Sequence, residues 1–168
     1  MTRVPAGRRL AATCRALLHR LLLETGRQGA GVTLLLDSEA ALRRLNRRFL
    51  GRDRPTDVLS FPACGDLEPG RAHLGEIAIS VPRAARQARR ARWSLPEEIA
   101  LLVTHGYLHL LGYDHETDDG SMRRLEETLL KRAAGVMIAK RGLPWGDRPS
   151  GRKRARARTS APRRRRHG

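Results

Sequence analysis

Apolar residues recur every three or four positions in several segments, the spacing of helices that bury one face. This spacing predicts helices over residues 11–23, 38–49, 83–93 and about 117–141. A fifth segment, 94–111, is apolar nearly all round, which indicates a central helix surrounded by other elements. We therefore expect about five helices. In the second of them, the residues expected to point inward are Ala40, Ala41, Leu42, Leu45 and Phe49.

Short apolar runs bounded by glycine, proline or aspartate predict strands over residues 31–36, 58–61 and 74–81. The first run is continuous, so we expect a buried strand. The third run alternates apolar and other residues and follows a polar loop, which favours an antiparallel pairing with the second. Strands and helices therefore share a single domain of ordinary size.

The net charge of +17 is unevenly distributed along the chain. Residues 148–168 carry ten arginines and lysines and no acid, in a low-complexity stretch without hydrophobic periodicity. We therefore predict a folded domain over 1–147 and a disordered basic tail over 148–168. The remaining charge of +7 on the domain favours a polyanionic partner, with nucleic acid first among them.

Cysteine spacing and hydropathy indicate the cellular setting of the protein. Cys14 and Cys64 are far apart and form no C-x-x-C pair, so we expect a reducing, cytoplasmic setting without a disulfide framework. No apolar run approaches the roughly 20 residues that a membrane span requires, so no membrane association is expected.

The central helix carries the candidate chemistry. His105 and His109 are four residues apart, so their side chains share one helical face about one turn apart. His115 joins them only if the helix ends and the chain turns back, and Gly112 stands where a glycine after the helix allows that turn. Three imidazoles with a fourth coordination position open are typical of catalytic zinc.

The histidine spacing also coincides with that of the metzincin zinc proteases, including the glycine. Those enzymes place a glutamate general base directly after the first histidine, whereas this chain has Gly106 there. This argues against a protease of that mechanism. A zinc ion lowers the pKa of bound water toward about 7 and polarises phosphoryl oxygens, which on a basic protein favours hydrolysis of nucleic acid.

Three stretches carry a resemblance to a known family. Residues 105–115 read H-G-Y-L-H-L-L-G-Y-D-H, which resembles the signature H-G-x-L-H-L-x-G-Y-D-H of the bacterial YbeY family of rRNA maturation endoribonucleases. Residues 55–62 resemble that family's P-T-[DN]-V-L-S-F-P, and residues 74–77 resemble its L-G-[DE]-I. The resemblance spans roughly residues 30–140 in the right order and is most specific at the histidines.

The resemblance implies a fold, a cofactor and partners. The fold is α+β, with a small mixed sheet of about four strands packed with about five helices and the metal at the end of the central helix. Family members usually begin with a strand, for which only residues 2–4 are available here. The implied cofactor is one zinc ion held by His105, His109 and His115.

The implied activity is single-strand-specific endoribonuclease action in 16S rRNA 3′-end maturation and ribosome quality control, in the cytoplasm. The implied partners are rRNA and the small ribosomal subunit, and no small-molecule ligand is expected.

One position departs from the family pattern. The family usually has an arginine implicated in RNA cleavage directly after the aromatic residue of Y-R-x-x-D-x-P, and here that position is Leu50. Arg52 is the candidate catalytic substitute, because a long guanidinium side chain tolerates some displacement; Arg54 is a second, and both could equally be solvated loop charges. The departure keeps an alternative open, a zinc-containing ribosome-assembly factor that binds rRNA without cleaving it.

Overall fold

The computed structural model describes residues 6–63, 73–114 and 119–135. Within these ranges a π-helical turn, Leu130–Ala134, continues the last helix. The elements follow in the order α1 (Ala6–Glu24), β1 (Gly31–Asp37), α2 (Glu39–Leu50), β2 (Val58–Pro62), β3 (His73–Ser80), α3 (Val81–Ala91), α4 (Leu95–Leu110) and α5 (Ser121–Leu129).

The three strands form one mixed sheet in the order β1-β3-β2. β3 runs parallel to β1 and antiparallel to β2, and the predicted antiparallel pair is confirmed. The α+β class is confirmed as well, and the described part of the chain contains the five helices expected. Of the roughly four strands expected, the described residues contain three, and the candidate N-terminal strand at residues 2–4 lies outside them.

The larger hydrophobic core lies on the side of the sheet that faces α1, α4 and α5. Residues 98–108 of α4 are all buried, which confirms that this helix is central. It begins with a capping box, in which the Ser94 side chain accepts from the Glu97 N–H and the Glu97 carboxylate accepts from the Ser94 N–H. No helix within the described ranges is long and apolar enough to cross a membrane.

On the other side of the sheet, α2 covers a smaller cluster formed by Leu42, Leu59 and Ala78. The prediction that Ala40 and Phe49 point inward is wrong, because both side chains are exposed. Phe49 stands in the last turn of α2, where its ring makes an edge-to-face contact with Phe61 near the end of β2, and the residue remains 55% exposed. The other three expected residues are buried or half-buried.

The prediction that β1 is buried is also wrong. Its residues alternate between exposed and half-buried, and Leu35 is 42% exposed. The reason is the position of the strand: β1 ends the row of described strands, and α2 packs on β2 and β3 instead. Only the face of β1 that points toward the larger core is covered.

The described part of the closing helix ends at Ala134. Gly135 follows in a left-handed conformation, with φ 64°, and its N–H donates to the Leu130 carbonyl, an arrangement common at helix C-termini. Residues 136–141, over which the helix was expected to continue, lie outside the described residues. The predicted domain boundary at 147 and the tail over 148–168 lie outside the described residues.

Candidate metal centre

The imidazoles of His105 and His109 meet on one face of α4, as their spacing predicted. Their Nε2 atoms are 3.1 Å apart, and the rings are in an edge-to-face arrangement with centroids 4.6 Å apart. Two nitrogens bound to one tetrahedral zinc ion at about 2.0–2.1 Å lie roughly 3.3 Å from each other. The pair therefore fits two corners of one coordination sphere. The same distance also suits a hydrogen bond between one protonated and one unprotonated nitrogen.

A buried carboxylate fixes the orientation of His105. Glu126 on α5 is 3% exposed, and its Oε1 lies 3.0 Å from His105 Nδ1. An ionised Glu126 accepts the Nδ1 proton, which leaves the lone pair of His105 Nε2 directed toward His109. A carboxylate behind a histidine is the usual support of a metal-bound imidazole, because it sets the tautomer and raises the basicity of the ligand.

Glu126 was not singled out from the sequence. A signal was available, because Met122, Glu126 and Leu129 are spaced three or four residues apart and share the buried face of α5. A carboxylate on the apolar face of a helix requires a partner, since a buried unpaired charge is costly.

The turn after α4 forms as predicted. Gly112 has φ 91°, and its N–H donates to the His109 carbonyl at 3.1 Å. His115 itself lies outside the described residues. Among the residues that are described, no group of three or more histidine, cysteine, aspartate or glutamate side chains could hold a metal ion. The metal site of three histidines therefore stays a prediction, because only two of its three ligands belong to the described residues.

Gly106 allows α4 to lie close against the sheet. A Cβ at this position would be 2.9 Å from Ile77 Cγ2 and 3.0 Å from Ser60 Oγ, closer than side chains approach each other. Position 106 is directed at β2 and β3, which leaves no room for the glutamate that a metzincin has directly after its first histidine. The argument against a protease of that kind is therefore also steric.

Leu50, at the position of the family arginine, and Arg52, its candidate substitute, have different surroundings. Leu50 is half-buried and packs against the Leu42 cluster under α2. Arg52 follows the left-handed cap Gly51; its N–H donates to the Asn46 carbonyl at 3.2 Å, and its side chain is half-buried. Asn46 also donates from Nδ2 to the Arg54 carbonyl, so one buried amide holds the loop that carries both candidate arginines.

A family profile described as endoribonuclease YbeY matches residues 4–134 of this chain. The chain belongs to the YbeY family. The resemblance seen in the three sequence stretches is thereby confirmed, and the predicted enzyme class, a hydrolase that cuts RNA, is confirmed at the level of the family.

Individual relatives agree with this assignment. A protein named endoribonuclease YbeY from Solibacter usitatus is 48% identical over 118 residues, covering 70% of this chain and 71% of that protein. The YbeY protein of Moorella thermoacetica is 44% identical over 144 residues, covering 79% and 90%. The solution structure of TM1509 from Thermotoga maritima matches with a TM-score of 0.57 and 28% identity, over 89% of this chain and 96% of that one. The YbeY-like fold therefore extends over most of the chain.

Proposed function

We propose that this YbeY-family chain is a zinc-dependent endoribonuclease that cuts single-stranded RNA. Its role would be 16S rRNA 3′-end maturation and ribosome quality control in the cytoplasm. The observation that carries the proposal is the imidazole pair of His105 and His109, with Nε2 atoms 3.1 Å apart and one ring supported by a buried carboxylate. Two converging imidazole lone pairs are a donor set typical of a zinc site.

The proposed cofactor is one zinc ion held by His105, His109 and His115. The described residues fit this ion, because neutral imidazole nitrogens suit zinc and Glu126 keeps the coordinating nitrogen of His105 unprotonated. When bound, the ion would lower the pKa of a water ligand and polarise a phosphoryl oxygen. Glu126 itself stays behind His105 on the side away from His109, which suits it to orienting the ligand and not to contacting RNA.

The proposed partners are rRNA and the small ribosomal subunit. Support comes from the net charge of +17, from ten basic residues in 148–168, and from arginines on the surface helices α2 and α3. Cationic side chains bind phosphates through release of counterions, a contribution that falls steeply as salt rises. No small-molecule ligand is part of the proposal.

The activity is tested by single-turnover cleavage of a labelled single-stranded rRNA 3′ fragment. We expect the wild-type chain to cut, and both His109→Ala and a chelator to abolish cutting. His19→Ala is the matched control, because His19 is an exposed histidine on α1 whose loss leaves the pair intact. Equal cutting by wild type and His109→Ala would reveal a contaminating nuclease and refute the mechanism.

The cofactor is tested separately by measuring the metal content of the purified chain. We expect about one zinc per chain, reduced in His109→Ala and retained in His19→Ala. A chain that folds and cuts RNA without any bound metal would contradict the zinc proposal while leaving the nuclease proposal standing.

A second function has one observation in its favour. Leu50 stands where the family arginine is expected, and it is half-buried in an apolar cluster, so it provides no cation for a phosphate. A zinc-containing assembly factor that binds rRNA without cleaving it would need no such cation. A wild-type chain that carries zinc and binds the fragment but never cuts it would favour this alternative.

A further inference from the structure

Phe49 is an aromatic side chain that the fold leaves uncovered. It is 55% exposed, more than Leu23, Leu35 or Tyr113, the other large hydrophobic residues exposed within the described ranges. Its position in the inward stripe of α2 makes this exposure unexpected. A single exposed apolar side chain is ordinary on a protein surface, so the case for a partner depends on what surrounds this ring.

The ring is held in place although it is exposed. Its centroid lies 5.3 Å from that of Phe61, with the two ring planes at 60°. Phe61 is half-buried and packs against the Leu42 cluster, and the adjacent Leu50 packs against the same cluster. Gly51 ends the helix directly afterwards with φ 66°. The contact with Phe61 and the anchoring of Leu50 next in the chain therefore limit the movement of Phe49, which lowers the entropic cost of binding to its exposed surface.

One cation lies over this ring, on a helix that is rich in arginine. The guanidinium carbon of Arg48 lies 5.3 Å from the Phe49 ring centroid. Helix α2 contains four arginines and one glutamate within twelve residues. Arg43 is paired with Asp53 at 2.7 Å, whereas Arg44, Arg47 and Arg48 form no ion pair with any described residue. An aromatic surface flanked by cations is complementary to a nucleotide, which combines a flat base with an anionic phosphate.

The aromatic pair stands at the same end of the sheet as the C-terminus of α4. Pro62, next to Phe61, is paired with Gly75 on β3. A Cβ on Gly75 would lie 2.2 Å from the Phe61 carbonyl oxygen and 3.0 Å from Leu110 Cδ2, so these three residues are packed tightly together. Leu110 directly follows His109. Phe49 and the histidine pair therefore lie at the same end of the sheet but on its two opposite faces, and an RNA strand that contacts both has to pass around this end.

We infer that Phe49 is a stacking platform for an unpaired RNA base and that Arg48 binds a backbone phosphate next to that base. The inference rests on the proposed function, because it assumes an RNA substrate. A base can stack on a protein ring only if it is not stacked within a duplex, so this platform selects single strands. Stacking of one base on an aromatic ring changes affinity roughly tenfold by typical substitution measurements.

The test is fluorescence of the full-length chain with a single-stranded oligouridine that carries one 2-aminopurine, in the presence of a chelator that prevents cleavage. Stacking on Phe49 quenches this base, whereas phosphate contacts elsewhere on the chain do not. We expect Phe49→Leu to remove the quenching and to weaken binding roughly tenfold. Phe49→Tyr keeps an aromatic ring and should keep both. Leu35→Ala is the control, an exposed apolar residue of the sheet at a non-aromatic site.

Two results would overturn the inference: quenching by Phe49→Leu equal to that of wild type, or an equal loss of quenching in Leu35→Ala. A thermal melt shows whether Phe49→Leu is folded, and Phe49→Tyr tests the ring independently. The proposed function can fail on its own. A chain that never cuts RNA but shows quenching dependent on Phe49 refutes the nuclease and keeps the platform, and a chain that cuts without that dependence refutes only the platform.

Discussion

The two faces of the sheet differ in how deeply they are packed. On one face, α1, α4 and α5 share the larger core, which encloses residues 98–108 completely. On the other face, α2 covers a cluster with three buried members, Leu42, Leu59 and Ala78. We call the face with the larger core the deeply packed side and the face under α2 the thin side. The histidine pair lies on the deeply packed side, and the exposed Phe49 lies on the thin side.

The two sides suit the two proposed functions, metal binding and RNA binding. A metal ligand has to be held within a fraction of an ångström, and dense packing around α4 together with Glu126 provides that rigidity. A surface that binds a flexible polymer needs accessible rings and charges, which a thin layer leaves in contact with solvent.

The largest effect is expected for Gly106→Glu, on the deeply packed side. The substitution places a Cβ within 3.0 Å of both Ile77 and Ser60 and adds a carboxylate that points into the sheet. Overpacking alone costs about 1–3 kcal/mol, and an unpaired buried charge adds several more, so the chain should fail to fold. Circular dichroism and thermal melting check this, with Gly106→Ala as the milder comparison at about 1–3 kcal/mol. A folded Gly106→Glu chain would show that α4 is not held tightly against the sheet.

A matched pair of leucines compares the two faces directly. Leu101 in the larger core and Leu42 in the smaller cluster are both 0% exposed. We expect Leu101→Ala to lower the free energy of unfolding by about 4 kcal/mol and Leu42→Ala by about 2 kcal/mol, because a cavity under α2 can collapse more easily. Urea unfolding measures both values. Equal losses would mean that the two faces are equally rigid.

Glu126→Gln tests the support of the metal ligand. The amide cannot accept the Nδ1 proton as strongly as a carboxylate, so zinc affinity should fall about 10- to 100-fold while the fold persists. Competition with a zinc-binding dye measures the affinity. Glu127→Gln is the control on the same helix, since Glu127 contacts only Arg123, at 3.6 Å, among the described residues. An unchanged affinity in Glu126→Gln would make the Glu126–His105 contact purely structural.

The smallest effect concerns the thin side, where Glu39 on α2 is paired with Arg83 and Arg86 on α3. The Arg86 guanidinium, with Arg83 in second place, holds the pKa of Glu39 below its ordinary value of 4.5. A lowered pKa in the folded state contributes stability above pH 4.5, and that stability is lost as pH falls through the folded-state pKa. We expect Glu39→Gln to lower the melting temperature slightly at pH 7, less than Leu42→Ala does, and to lower it progressively less as the pH falls below 4.5.

A melting difference between wild type and Glu39→Gln that is as large at pH 3 as at pH 7 would contradict this assignment. Exposed ion pairs of this kind contribute little to stability in general. The change with pH in the melting difference between wild type and Glu39→Gln is therefore more informative than its size at one pH.

Much of the fold followed from local patterns. The capping signature at Ser94, the all-round apolar segment behind it and the glycine after it predicted a buried helix that ends in a turn, and each is present. The strand runs were placed within a residue or two, because glycine, proline and aspartate mark their ends. The errors at β1 and Phe49 concern which side of an element is covered, and that depends on neighbours distant in sequence.

By itself, the sequence determined the family, the helix that carries the histidines and the common face of His105 and His109, because a spacing of four residues within a helix fixes their relative direction. Only the tertiary structure decided that Glu126 supports His105 from 21 residues away, that Gly106 faces the sheet, and that Phe49 stays exposed. The physical reason is that periodicity describes one element at a time, whereas these features depend on the packing of α4 against α5 and the sheet, and of α2 over β2.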